Sequence, residues 1–124
     1  MEKLSHFQKA FDLYKGYFFP EGQGTWVLSL RQKLALAYEE AGLYLSHISL
    51  EAKDLHNTLS LCNLLIQENH CLEEAHRLAM RAYAGLGDRP SLIRQFDKCK
   101  QALQETLGTE PSPQTIRLFK ILSR

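Results

Sequence analysis

Apolar residues recur every three or four positions through almost the whole chain, and no segment alternates at period two for long enough to predict a strand. Leu4, Phe7, Ala10, Phe11 and Tyr14 predict a first helix over residues 2–15, closed by Gly16. Tyr17, Phe18 and Phe19 next to Pro20, Gly22 and Gly24 predict an apolar loop pinned against the helices. Thr25 then caps a long helix that begins near Trp26 and runs to about Glu51, with Leu30, Leu34, Ala37, Ala41, Tyr44, Leu45 and Ile48 as its stripe. Gly42 lies inside that stripe, where a glycine costs about 1 kcal/mol relative to alanine, so a close helix approach is expected there. Residues 52–54 turn the chain, and Asp54 caps a partner helix over residues 55–69 with Leu55, Leu59, Cys62, Leu65 and Ile66 inward. Asn69 and His70 break it.

The next helix is predicted over Glu73–Leu86, with acids in its first turn and Ala75, Leu78, Ala79, Ala82 and Tyr83 facing the core. Gly85 and Gly87 end it, and Asp88-Arg89-Pro90 turns the chain into another helix, carried to Gly108 by Leu92, Ile93, Phe96, Cys99 and Leu103. Ser112 and Pro113 then open a last helix with Ile116, Phe119 and Leu122 as its apolar face. Two segments echo each other at an offset of 34 residues: Thr58 matches Leu92, Cys62 matches Phe96, and Ala41 matches Ala75. That is the period of tetratricopeptide (TPR) helical hairpins. The expectation is an all-α, TPR-like stack of antiparallel helical hairpins with about six helices, forming one domain over residues 1–124.

Composition narrows the function. A chain of 124 residues with 44% hydrophobic and 23% charged residues suits one soluble domain. A net charge of +1 argues against an electrostatic nucleic-acid binder. No apolar run approaches the ~18 residues of a membrane span, and the N-terminus lacks the apolar core of a signal peptide, so a cytoplasmic protein without a membrane partner is expected. Cys62, Cys71 and Cys99 are odd in number and show no CxxC spacing, so they read as reduced thiols. Cys62 and Cys99 fall where a helix faces its neighbour.

The segments LEEAHRLAMRAYAGLG and QFDKCKQALQETLGTEPSPQT resemble the bacterial transcriptional activator domain, the TPR-like module of antibiotic-regulatory-protein (SARP) type activators. FDLYKGYFFP and TWVLSLRQKL fit the same pattern of an aromatic helix, a glycine turn, a proline loop and a tryptophan-led helix. Two features depart from it: Asn69-His70 stands where Asp-Pro is usual, and residues 46–63 are poor in alanine. The resemblance implies a role in transcription regulation through oligomerisation and contacts with other domains or proteins. It implies that DNA is reached only indirectly, through a separate winged-helix domain. The chain shows no winged-helix pattern, which predicts an isolated domain of a larger regulator or a stand-alone relative.

Candidate chemistry is sparse. His70, Cys71 and His76 are the nearest approach to a metal site, but their spacing matches no usual zinc pattern and a helix junction is favoured. None of the three cysteines has an evident base and orienting group beside it, so no catalytic residues, metal or cofactor are assigned and the chain is read as a non-enzyme. Glu39-Glu40 reads as a solvated face. Gly22-Gln-Gly24 lacks the phosphate-loop pattern. Trp26 reads as a core anchor against the aromatic loop, with a partner hot spot as the alternative. From Arg89 to Arg124 there are seven basic residues against three acidic ones, a surplus read as solvated surface.

The inner face of the stack is the better functional candidate. In the 34-residue register Leu43 pairs with Arg77 and His47 with Arg81. Arg77 and Arg81 are four apart and share a helix face. Two guanidinium groups there can clamp a partner's carboxylate, or pair with Glu73, Glu74 or nearby acids. The expectation is a non-catalytic protein-interaction and oligomerisation module of a bacterial transcriptional regulator, binding through Leu43, His47, Arg77 and Arg81. A general TPR adaptor unconnected with transcription is the alternative.

Overall fold

The computed structural model describes residues 25–124, with side chains from residue 29 onward. Five helices occupy this stretch: α1 (Thr25–Glu51), α2 (Leu55–Glu68), α3 (Glu73–Leu86), α4 (Arg89–Leu107) and α5 (Pro113–Leu122). The fold is all-α, as the periodicity requires. The expected helix over residues 2–15, the aromatic loop and the Trp26 side chain lie outside the described residues.

Most of the boundaries have a local chemical cause. Asp54, Asp88 and Ser112 cap α2, α4 and α5 by accepting a hydrogen bond from a backbone N–H in the first turn. A proline occupies the first turn of both α4 and α5, where its missing N–H costs nothing. Gly87 and Gly108 end α3 and α4 in the left-handed conformation, with φ of 72° and 66°. Lys53 is the one non-glycine among the described residues with positive φ (64°), and it tightens the turn between α1 and α2.

The packing order is that of a helical-hairpin stack. Helices α1 and α2 form one antiparallel pair and α3 and α4 the next, with α2 packed on α3 between them. The first helices of successive hairpins also touch: α1 meets α3, and α3 meets α5. Among the described residues two clusters stand out in the core, beside the buried Met80, Leu92, Cys99 and Leu103. Tyr38, Ala41, Leu45, Leu65 and Ala75 join α1, α2 and α3, and Leu59, Cys62, Leu78, Ala79 and Ala82 join α2 and α3. The repeat register holds in space for two of its three pairs: Ala41 and Ala75 are both fully buried and so are Thr58 and Leu92, whereas Phe96 is only half-buried where Cys62 is fully buried.

Gly42 marks a close approach of α1 and α2. A Cβ there would lie 2.5 Å from Leu65 Cδ2, inside any real contact distance, and Leu65 is itself fully buried. The Gly42 carbonyl also accepts the Ser46 hydroxyl at 2.7 Å, which satisfies a buried polar side chain within the helix. The glycine therefore trades helix propensity for helix proximity.

Burial departs from the predicted stripes in α3 and α4. His76 and Met80 are buried in α3 as well as the expected alanines and leucine, because α3 has neighbours on most of its perimeter. In α4, Gln95 is buried while Ile93 is exposed. The cause is a polar pair between the two helices. His76 Nε2 donates to the His70 carbonyl at 2.8 Å, so the ring carries its proton there. Its Nδ1 is then left to accept from the Gln95 amide at 2.7 Å. The neutral ring is fully satisfied, and a charged ring would set two donors against each other.

Two predictions follow from this packing. Replacing Gly42 with alanine gains about 1 kcal/mol of helix propensity but overpacks against Leu65 at a cost of ~1–3 kcal/mol. We expect Gly42→Ala to lower the free energy of urea unfolding by about 1 kcal/mol; an unchanged or higher value means Leu65 yields freely. Burial holds the His76 imidazole below its usual range, against the opposing pull of the His70 carbonyl and Glu73. Below the ordinary histidine range the unfolded chain takes up a proton that the folded chain refuses, so stability is full above that range and declines as pH falls. Urea midpoints taken between about pH 7.5 and pH 5 should drop, and the drop should shrink in His76→Gln.

Candidate interaction surface

Helices α1, α3 and α5 lie in a row, and polar side chains link them from one to the next. Between α1 and α3, His47 Nε2 stands 3.8 Å from Glu74 Oε2, with both side chains nearly half exposed. At that distance and exposure the pair is a weak surface contact, present as an ion pair only when His47 is protonated.

Between α3 and α5 the linkage is tighter. Glu73 Oε1 accepts the Thr115 hydroxyl at 2.7 Å and the Ser112 backbone N–H at 2.9 Å. Arg77 Nη1 donates to Thr115 Oγ1 at 2.9 Å. Thr115 is fully buried, and its hydroxyl gives to the carboxylate while receiving from the guanidinium. Burial alone would raise the Glu73 pKa, yet the Ser112 and Thr115 hydrogen bonds and the Arg77 charge prevail and hold it below the usual carboxylate range. The first turn of α3 is thereby fastened to the first turn of α5. Further along α5, the Phe119 ring stacks on Phe96 of α4 with centroids 4.1 Å apart and planes 9° from parallel.

The four residues singled out from the sequence have unlike surroundings. Leu43 is half-buried and packs against both core clusters. His47 is exposed beside Glu74. Arg77 is half-buried and engaged with Thr115 and Glu73. Arg81, one turn further along α3, is exposed and makes no hydrogen bond or ion pair among the described residues. His47 and Arg77 are thus in the cross-links of the row, and Arg81 stands clear of them.

Sequence reasoning placed Glu73 in a helix first turn and Ser112 at a cap but did not join them. Thr115 was missed altogether. The available signal was a polar residue at i−4 and i−7 from Phe119 and Leu122, on the inward seam of α5. A threonine at such a site needs a hydrogen-bond partner from the helix it packs on.

Elsewhere the thiols and histidines take up structural contacts. Burial pushes the Cys62 and Cys99 thiols up to about 12, which keeps them protonated and poorly nucleophilic. Cys71 Sγ points at the Ala102 carbonyl, 3.5 Å away on α4. Both ring nitrogens of His76 are engaged, so it offers no free lone pair at the His70–Cys71 junction. Among the described residues no three His, Cys, Asp or Glu side chains converge to hold a metal ion. No described helix is long and apolar enough to cross a membrane.

The Glu73 network carries its own test. Glu73→Ala strands the Ser112 N–H and the Thr115 hydroxyl, at a cost of about 1–2 kcal/mol after allowing for partial solvent exposure. Hydrogen exchange should then quicken in α5 before it does in α3. Because the folded pKa of Glu73 is depressed, its contribution is present at neutral pH and lost as pH falls below the carboxylate range. If α5 amides exchange at the wild-type rate in the variant, the network does not hold the helix.

The family model described as "Bacterial transcriptional activator domain" matches residues 1–122. No curated protein and no solved structure matches the chain.

Proposed function

Given that the chain belongs to the bacterial transcriptional activator domain family, we propose that it is a non-catalytic interaction and self-association module of a bacterial transcriptional regulator. The family is a regulatory domain of bacterial transcriptional activators and not a known enzyme family. The single domain over residues 1–124 acts in the cytoplasm by surface binding, and DNA is reached through a separate winged-helix domain of the regulator it serves.

The observation that carries this reading is the row of first helices. α1 and α3 are held side by side by the buried packing of Tyr38, Ala41, Leu45 and Ala75, and α3 and α5 by the Glu73–Arg77–Thr115 network. A row fixed in this way is a rigid surface whose side chains need little reordering when a partner arrives, which lowers the entropic cost of binding. Leu43, His47, Arg77 and Arg81 are the residues assigned to it. Within this set Arg81 is the free cation, and Arg77 is positioned one turn away by Thr115. A partner carboxylate meeting Arg81 would gain a charge-assisted hydrogen bond from a guanidinium that has no competing partner among the described residues.

The test is the solution mass of the chain by light scattering over a concentration series, for wild type and Arg81→Glu. We expect a concentration-dependent dimer in the wild type and a dissociation constant raised by about tenfold in the variant, the equivalent of one lost charge-assisted contact. The thermal midpoint should not move, because an exposed substitution away from packing costs little. A strict monomer at every concentration removes self-association and leaves binding to another domain or protein.

A further inference from the structure

Helix α5 has an open side among the described residues. In this stack the first helix of each hairpin is covered by the second: α2 packs on α1 and α4 packs on α3. Helix α5 packs on α3, as a first helix does, and among the described residues no helix follows to cover it. Its inward seam is Thr115, Phe119 and Leu122, and Thr115 is its only fully buried residue. On the other side Ile121 is 58% exposed, and the half-buried Leu118 lies between it and the inward seam. The uncovered strip is therefore partly apolar.

Charge marks the same strip. Residues 113–124 carry Arg117, Lys120 and Arg124 and no acid, while residues 25–112 carry nine basic and eleven acidic residues. All three cations are exposed, and none has an acidic partner within ion-pair distance among the described residues. Only Arg117 is engaged, through Nε on the Pro113 carbonyl at 3.4 Å. Arg117, Ile121 and Arg124 fall on one helical stripe, with Leu118 and Lys120 beside it. The order along that stripe is cation, apolar, cation.

We propose that this outer face of α5 docks an acidic amphipathic helix of a partner protein. Such a helix sets its apolar residues on Leu118 and Ile121 and its carboxylates against Arg117, Lys120 and Arg124. It takes the place that α2 takes on α1 and α4 on α3, and the cations about Ile121 select an acidic helix for that place. A bilayer fits less well. The ten residues of α5 span only about 15 Å and expose one narrow apolar strip, less than interfacial helices bury. Duplex phosphates would satisfy the cations but leave Ile121 facing charge. The proposal rests on the chain being an interaction module but does not require self-association.

The experiment is selection of binders from a displayed library of randomised helical peptides, using the full 124-residue chain. Enriched peptides are then titrated by fluorescence anisotropy against wild type, Arg117→Glu/Lys120→Glu and Ile121→Ser. We expect enrichment of Glu or Asp next to Leu or Ile at helical spacing, and affinity that falls as salt rises. The double charge reversal should weaken binding by more than about tenfold and Ile121→Ser by about threefold, with the circular dichroism of both variants unchanged. Exchanging the peptide's acids for lysine should restore binding to the double variant. That rescue separates lost docking from lost folding. The proposal is overturned if no peptide is enriched, if enriched peptides lack acids, or if the variants bind as tightly as wild type. Vesicles containing phosphatidylserine are the competing probe. Their capture through Arg117 and Lys120 without any peptide binding also overturns it. Light scattering on the same samples separates the two readings, because a dimer that ignores the peptides sinks only this one and a monomer that binds them sinks only self-association.

Discussion

Four helices converge on α3, and the stacking of the described hairpins depends on their fitting there. α3 touches α1, α2, α4 and α5. A helix surrounded on most sides cannot carry large side chains all round without pushing its neighbours apart, since interiors pack at crystal-like density. The sequence of α3 meets that limit with Ala75, Ala79 and Ala82, all fully buried, and keeps Leu78 and Met80 for the wider gaps. Gly42 does the same on α1, where the approach of α2 leaves no room even for a methyl group. The dispersion gained by close contact along these helices is what offsets the conformational entropy of ordering them.

Polar groups enter this crowded centre only with partners. His76 and Gln95 lie buried between α3 and α4 and satisfy each other, while the His70 carbonyl takes the remaining ring proton. No buried side-chain nitrogen or oxygen among the described residues lacks a hydrogen bond. The arrangement gives direction to an otherwise non-directional apolar contact. Sliding α4 by one residue along α3 would bury the same area but separate the two side chains, leaving each unsatisfied.

Much of this was legible in the sequence because the helices report themselves twice, by periodicity and by their end signals. Asp54, Asp88, Ser112, Gly87 and Gly108 all act at the boundaries where they were expected, and the predicted α3 span agrees residue for residue. Which side of α3 and α4 is buried was less legible. A stripe of apolar residues shows one buried face, but it does not say that a second helix approaches from the polar side, as α4 does at His76. Gln95 could not be distinguished from a solvated residue without knowing its partner 19 positions away. The candidate surface was legible to the level of the repeat register, which put His47 and Arg77 on the first helices of their hairpins. The register cannot show that Arg77 reaches across 38 residues to Thr115, because α5 starts after a loop whose length lies outside the repeat.

That crossing explains how the stack keeps its last helix. α5 has ten residues and buries one of them completely, so apolar area alone holds it weakly. An isolated helix of that length would also be unstable in water. What compensates is concentrated at its first turn: Ser112 caps the helix, and the Ser112 N–H and Thr115 hydroxyl both meet the Glu73 carboxylate. Arg77 balances that charge from the same face of α3. The Phe96–Phe119 stack then fixes the middle of the helix. A helix pinned at its start and middle by directional contacts can leave its outer side open without detaching. The inner row of helices therefore stays rigid up to its end, and the exposed strip of Ile121 keeps one orientation relative to α3. An interaction surface needs that property, and hydrophobic burial on one side of a short helix does not supply it.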